Sequence, residues 1–239
     1  MIPLHQQNVV ITGAAMGLGA GIARVFARAG AKLLLMDRAE EPLRHLAEET
    51  GNQAIAVDLA DAHATAEALA SLPERVDTLI HNAGILRVEP IEALTLESFR
   101  AQLDVGIQAA YQLTRAVWPG MAAQSGGALI FVSSQSGIKG FVDESAYCAA
   151  KHALEGFSKC LAIEGAAHGI LSCTITPGKP MHTPMSDANY TDDLKAQWIE
   201  PIRLAPAFAR IAETRDPAFS GERLNAWQMA GQAEEATWP

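Results

Sequence analysis

The sequence predicts an α/β fold: a doubly wound parallel sheet of about seven strands with helices on both faces, one domain spanning residues 1–239. Apolar runs of four to seven residues alternate with longer helix-period segments, the pattern of βα units whose strands are covered on both sides. The first such run opens directly into a glycine-rich turn and then a helix-period segment. The composition is that of a globular chain, 49% apolar and 19% charged, with no linker, low-complexity block or internal repeat to divide it.

The strands are expected at residues 9–12, 32–36, 54–57, 78–81, 128–133, 171–176 and, least strongly patterned, 223–226. The first leads into Thr12-Gly13-Ala14-Ala15-Met16-Gly17-Leu18-Gly19, followed by Ile22, Val25, Phe26 and Ala29 at helical spacing. Glycines there permit a tight turn and let backbone N–H groups approach a pyrophosphate, with the positive helix end facing the anion. A tight βα turn with no ligand has the same glycines, but the acidic residue that ends the second strand favours a dinucleotide. Asp37 lies eighteen residues after Gly19, where a carboxylate accepts hydrogen bonds from the adenosine ribose and repels a 2′-phosphate. Arg38 beside it either attracts that phosphate or lies over the adenine. NAD is therefore the expected cofactor, with NADP the less favoured one. Asp58-Leu59, after the third strand, either borders the adenine or caps the next helix. The fourth strand ends in His81-Asn82-Ala83-Gly84, at the carboxyl edge where open α/β sheets bind ligands. Asn82 either bridges strands or touches the cofactor, and His81 is expected to be packed or hydrogen-bonded rather than catalytic.

The chemistry is expected after the fifth strand, where Ser134 precedes a helix carrying Tyr147 and Lys151. Four residues apart, the phenol and the ammonium share one helix face, and a cation beside a phenol favours its ionised form. Ser134 can offer a hydroxyl to the same reacting oxygen. A Tyr and a Lys at this spacing also occur on ordinary helix surfaces; the upstream serine and the glycine turn favour the chemical reading.

A formal net charge of −9, with no stripe of Lys and Arg, argues against a nucleic-acid partner. No apolar run approaches the roughly 20 residues of a membrane span, and the first strand begins too early for a signal peptide, so a soluble, cytoplasmic protein is expected. Cys148, Cys160 and Cys173 lack metal-ligand spacing and read as small reduced core residues; no metal is expected.

These pieces resemble the short-chain dehydrogenase/reductase family from about residue 8 to about residue 178. TGAAMGLG is similar to its TGxxxGxG, HNAG to its NNAG, Ser134 with Tyr147 to Lys151 to its Ser and YxxxK, and Pro177-Gly178 to the PG after its sixth strand. The resemblance implies a Rossmann-type fold and a hydride transfer between NAD(H) and a small-molecule secondary alcohol or ketone. Tyr147 would be the acid/base; Lys151 would lower its pKa and hold the nicotinamide ribose, and Ser134 would orient the substrate oxygen. Gly13, Met16, Gly17, Leu18 and Gly19 would cradle the dinucleotide, with Asp37, Arg38, Asp58, Leu59, Asn82, Ala83 and Gly84 along its adenosine half. Pro177, Gly178 and Thr183 would meet the nicotinamide. A homodimer or homotetramer is implied through the helices near residues 101–118 and after Tyr147.

The chain departs from the family pattern in three places. The Asn usual in the helix before the fifth strand falls on Gly106, leaving the site short of one member or making room for a water; a packing or bend role is the alternative. The segment from Pro177-Gly178 to Thr183 is one residue longer than usual, and the tail from about residue 228 to 239 matches nothing. Substrate contacts are expected from two polar segments, the loop after the fifth strand with Ser134, Gln135, Ser136 and Lys139, and the stretch at about residues 179–201 with His182 and Trp198. Two other readings stand beside the NAD enzyme: an NADPH-dependent ketone reductase, and a dinucleotide-binding regulatory protein with weak turnover.

Overall fold

A computed structural model describes residues 1–234; of the tail, residues 235–239 lie outside the described part. Seven strands, β1 (Asn8–Thr12), β2 (Lys32–Asp37), β3 (Gln53–Ala56), β4 (Thr78–His81), β5 (Gly127–Val132), β6 (Ile170–Thr176) and β7 (Arg223–Asn225), form one sheet in the order β3-β2-β1-β4-β5-β6-β7. Every pair is parallel. The order reverses between β1 and β4, so the loops leaving those strands diverge and open a crevice at the carboxyl edge.

The helices are α1 (Gly17–Arg28), α2 (Glu40–Thr50), α3 (Ala62–Ala68), α4 (Leu96–Leu103), α5 (Ala109–Ala123), α6 (Ser145–Gly165), α7 (Pro184–Asn189), α8 (Asp192–Lys195), α9 (Ala205–Thr214) and α10 (Ala226–Glu234). Because successive strand side chains point to opposite faces, each central strand feeds two cores. On β5, Ala128, Ile130 and Val132 pack with Phe26 of α1 and Phe208 of α9, while Leu129 and Phe131 pack with Leu113 of α5 and Leu154 of α6. Full burial of such a side chain stabilises the fold by about 1.5–3 kcal/mol. Double coverage is also why these strands are continuous apolar runs.

The expected continuous helix over residues 101–118 is interrupted. Asp104–Gln108 form a π-helical turn between α4 and α5. Gly106 sits in that turn against α6, where an added Cβ would stand 2.8 Å from the Ala150 Cβ, so of the readings open for this glycine the packing one has direct support. Of the cysteines, Cys148 and Cys173 are buried as expected, but Cys160, on the outer face of α6, is exposed. No helix among the described residues is long and apolar enough to cross a membrane.

Candidate active site

The crevice holds a cavity of about 530 Å³, running from Asp37 and Asp58 at one end to Ser134 and Tyr147 at the other. At its floor, Gly13 and Gly17 adopt positive φ (+63° and +56°), and a Cβ on Gly19 would fall 2.1 Å from the Gly13 carbonyl oxygen. The turn folds back on itself so tightly that only glycine fits at residue 19. Met16 is the N-cap of α1 in an extended conformation, and no side chain caps that helix end. The first N–H groups of α1 are thus left for a ligand, and the positive end of the helix dipole faces the cleft. These features fit the pyrophosphate of a dinucleotide.

Asp37 ends β2 with its carboxylate accepting from the Ala15 N–H (3.0 Å) and the Ala39 N–H (2.9 Å), which ties the glycine turn to the adenosine end of the cleft. Arg38 lines the same end without a hydrogen bond or ion pair to another described residue. Asp58 lines the cleft and accepts from Ala60 N–H at 3.0 Å; the cap of α3 is Asp61 instead, which settles the two readings of Asp58 against capping.

Both roles considered for Asn82 are compatible with its position. Its Nδ2 donates to the carbonyls of Thr12 (3.1 Å) and Gly13 (2.9 Å), bridging β4 to the glycine turn, and the residue also faces the cleft. His81 is fully buried. Thr12 Oγ1 accepts from the N–H groups of Asn82 (3.2 Å) and Ala83 (3.1 Å), so its own proton goes to His81 Nδ1 at 3.1 Å. The Nε2–H of His81 then donates to the carbonyls of Val105 (3.1 Å) and Gly106 (3.2 Å) in the π-turn. Burial, helped by the charge of Lys151, holds the imidazole near pKa 4, and the ring is a neutral strut. Its partners come from β1 and the π-turn, far away in sequence.

At the substrate end, Ser134 follows β5 and hydrogen-bonds the Tyr147 phenol, which projects from the first turn of α6. Lys151, one turn on, is buried and donates from Nζ to the Val132 carbonyl at 2.7 Å; burial brings its pKa down to about 8, against the pull of Glu155. The ammonium stands 5.5 Å from the centroid of the Tyr147 ring. The expected acidification of the phenol by Lys151 is not what this arrangement gives. Burial, then the nearby Tyr190, push the Tyr147 phenol above its ordinary value, and the Ser134 hydroxyl opposes them. The proton is held on Tyr147.

Of the residues expected to hold the dinucleotide, Gly13, Met16, Gly17, Leu18, Asp37, Arg38, Asp58, Leu59, Asn82, Ala83, Gly84, Tyr147, Lys151, Pro177 and Thr183 face the cleft. Gly19 and Gly178 shape the backbone instead: Gly178, at φ +78°, lets Asn225 approach where a Cβ would be 2.1 Å from its Oδ1. Thr183 caps α7, accepting from Ser186 N–H at 3.1 Å, and lies beside Gly17 across the cleft.

The substrate residues fare differently. Ser134 lines the cleft, whereas Gln135, Lys139, His182 and Trp198 lie outside it, and Ser136 is buried behind Ser134. His182 stacks beside Trp198 with ring centroids 5.8 Å apart and faces Asp187 at 3.4 Å. The wall is built instead by Ile85 and Leu86 after β4 and by Met181, Met185, Asn189 and Tyr190 around α7. Asn189 Nδ2 donates to the Leu86 carbonyl at 3.2 Å and joins the two loops. The polarity of the 179–201 segment belongs mainly to its outer side; the apolar residues that face inward carry no periodic signal in so short a helix.

Residues 7–194 match the family described as short chain dehydrogenase, and the chain belongs to that family of oxidoreductases, which bind a nicotinamide dinucleotide. It is 36% identical over 232 residues to the oxidoreductase UcpA of Salmonella typhimurium, covering 92% of this chain and 86% of the relative. It is 33% identical over 196 residues to L-xylulose reductase of Bos taurus, covering 81% and 80% of the two chains. Among solved structures, one assigned as an NAD(P)-dependent gluconate 5-dehydrogenase of Beutenbergia cavernae, with NADP bound at low occupancy, superposes with a TM-score of 0.85 at 29% identity, covering 93% of this chain and 96% of that one.

Proposed function

We propose that the protein interconverts a secondary alcohol and a ketone using NAD(H), with Tyr147 as the acid/base. The observation that carries this reading is the placement of the Ser134–Tyr147 pair at one end of the cleft whose other end is closed by the glycine turn and Asp37. When bound, the dinucleotide supplies or accepts the hydride. In the direction of ketone reduction, Tyr147 gives its proton to the forming alkoxide; in alcohol oxidation it takes the hydroxyl proton. Ser134 orients the substrate oxygen, and Lys151, anchored on the Val132 carbonyl, places a cation beneath the phenol. The apolar wall around Leu86, Met181 and Met185 excludes water from the carbon that exchanges hydride. The substrate is a small alcohol or ketone; relatives carry names that include both an uncharged sugar, L-xylulose, and an acid, gluconate. We place the enzyme in the cytoplasm as a homodimer or homotetramer, each chain one catalytic unit.

An NADPH-dependent ketone reductase is the second reading. It is favoured by the guanidinium of Arg38 at the ribose end, which has no ion pair among the described residues, and by the NADP in the Beutenbergia cavernae structure.

The test is a substrate screen followed at the nicotinamide absorbance, on wild type and Tyr147→Phe. The variant is expected to lose nearly all turnover while binding the dinucleotide with close to wild-type affinity, since only the proton-transfer group is deleted. Undiminished turnover in Tyr147→Phe would refute the assignment.

A further inference from the structure

We propose that Glu144 makes the substrate end of the cleft selective for uncharged alcohols and unfavourable to substrates that carry a carboxylate. The inference rests on the alcohol–ketone reading above and names the charge class of its substrate. Glu144 is the N-cap residue of α6, three positions before Tyr147, and only 6% of its surface is exposed. Its Oε2 accepts from Ser136 Oγ at 2.9 Å, and the carboxylate lies close enough to the hydroxyl of Tyr190, which lines the cleft, to raise its pKa. A polar chain therefore runs from Ser134 in the cleft to Ser136 Oγ (3.3 Å) and on to Glu144.

Both of these neighbours of Glu144 are neutral hydroxyls. No Lys, Arg or His of the described residues forms an ion pair with it, so its charge is not cancelled locally. That charge reaches the reacting group, because Glu144 is one of the causes that raise the Tyr147 phenol. Lys151, which donates to the Val132 carbonyl, and Lys179, 5.9 Å from the centroid of the Trp227 ring, also line the cleft, so a variant that neutralises Glu144 and leaves both cations in place isolates the effect of the carboxylate. For a substrate carboxylate on the order of 8 Å from Glu144, the repulsion at effective dielectrics between those of water and a protein surface lowers affinity by about two- to thirtyfold.

The experiment compares kcat/KM for NAD-linked oxidation of C4 to C6 alditols and of aldonates of the same chain lengths, on wild type and Glu144→Gln. The wild type is expected to favour alditols. Glu144→Gln keeps the size and can still bond Ser136; its aldonate-to-alditol ratio is expected to rise by about two- to thirtyfold. A wild type that oxidises aldonates as well as or better than alditols overturns the inference but leaves the alcohol–ketone reading intact, as does an unchanged ratio in Glu144→Gln. Turnover of neither class, nor of any other alcohol in the screen, brings down both. Should Glu144→Gln fail to fold, the wild-type comparison decides alone: aldonates oxidised as well as alditols refute the inference.

Discussion

Replacing Asp37 by Asn removes one charge and almost no volume where β2 meets the glycine turn. The 2′-phosphate that distinguishes NADP carries about −1.5 to −2 charge near neutral pH. At a separation of about 5 Å and effective dielectrics of about 40–80, its repulsion from the Asp37 carboxylate is about 1–3 kcal/mol, or about five- to 150-fold in affinity. Arg38, free of other described partners, offsets part of that but does nothing for the ribose hydrogen bonds that a carboxylate offers NAD. The wild type is therefore expected to prefer NAD by at least about tenfold in kcat/KM, and Asp37→Asn to narrow or reverse that preference. The structure adds a cost. The two carboxylate oxygens serve the N–H groups of Ala15 and Ala39, and an amide has one carbonyl oxygen for two donors. One lost hydrogen bond destabilises the fold by about 1 kcal/mol, a drop of a few degrees in Tm, so the rates are compared well below the variant's Tm. Steady-state rates with both cofactors on both proteins are the assay. A wild-type preference for NADP, or a ratio untouched by Asp37→Asn, would show that Arg38 and not Asp37 reads the ribose.

Two further changes probe the interior of the site. Burial lowers the pKa of Lys151 from 10.5 to about 8, so between those values the unfolded chain holds more protons than the folded one. The cost of about 3 kcal/mol is fully present below pH 8 and is relieved as pH rises towards 10.5. Lys151→Met is accordingly expected to raise Tm at pH 7 by the equivalent of about 1–3 kcal/mol, after loss of the Val132 hydrogen bond, while turnover collapses; thermal melts at pH 7 and pH 10 check this, with the gain smaller at the higher pH. On β7, Arg223 donates to Glu155 (3.1 Å) and to the Ser134 carbonyl (3.0 Å). Arg223→Met strands a largely buried carboxylate and frees the Ser134 backbone, for an expected loss of about 1–3 kcal/mol in urea titration together with a lower kcat. Adding Glu155→Gln, which still accepts from Ser133 or Thr174, should recover part of the stability.

The strands were legible because a sheet covered on both faces writes itself as uninterrupted apolar runs, and all seven begin and end within a residue of the expected bounds. The glycine turn, Asp37 and the Ser134–Tyr147–Lys151 set were legible because their spacing along the chain is itself the geometry. What could not be read are contacts that depend on which strands become neighbours. His81 found Thr12 only because β1 and β4 lie side by side with those two residues in register. Arg223 and Glu155 are brought together by β7 joining the edge of β6, and the substrate wall by two loops that meet over the cleft. The surroundings of Tyr147 are hidden for a related reason: spacing shows the cation one turn away, but not that the phenol is buried or that the ammonium turns to Val132.

The tight contact between Gly106 and Ala150 constrains how this site can change over evolutionary time. Any larger residue at 106 would put its Cβ 2.8 Å from that of Ala150, and neither group is the far end of a flexible side chain that can swing aside. Taken first, Gly106→Asn passes through an overpacked intermediate costing about 1–3 kcal/mol; taken first, Ala150→Gly passes through a helix weakened by about 0.5–1 kcal/mol. The second order is the cheaper path, so position 150 has to shrink before position 106 can grow.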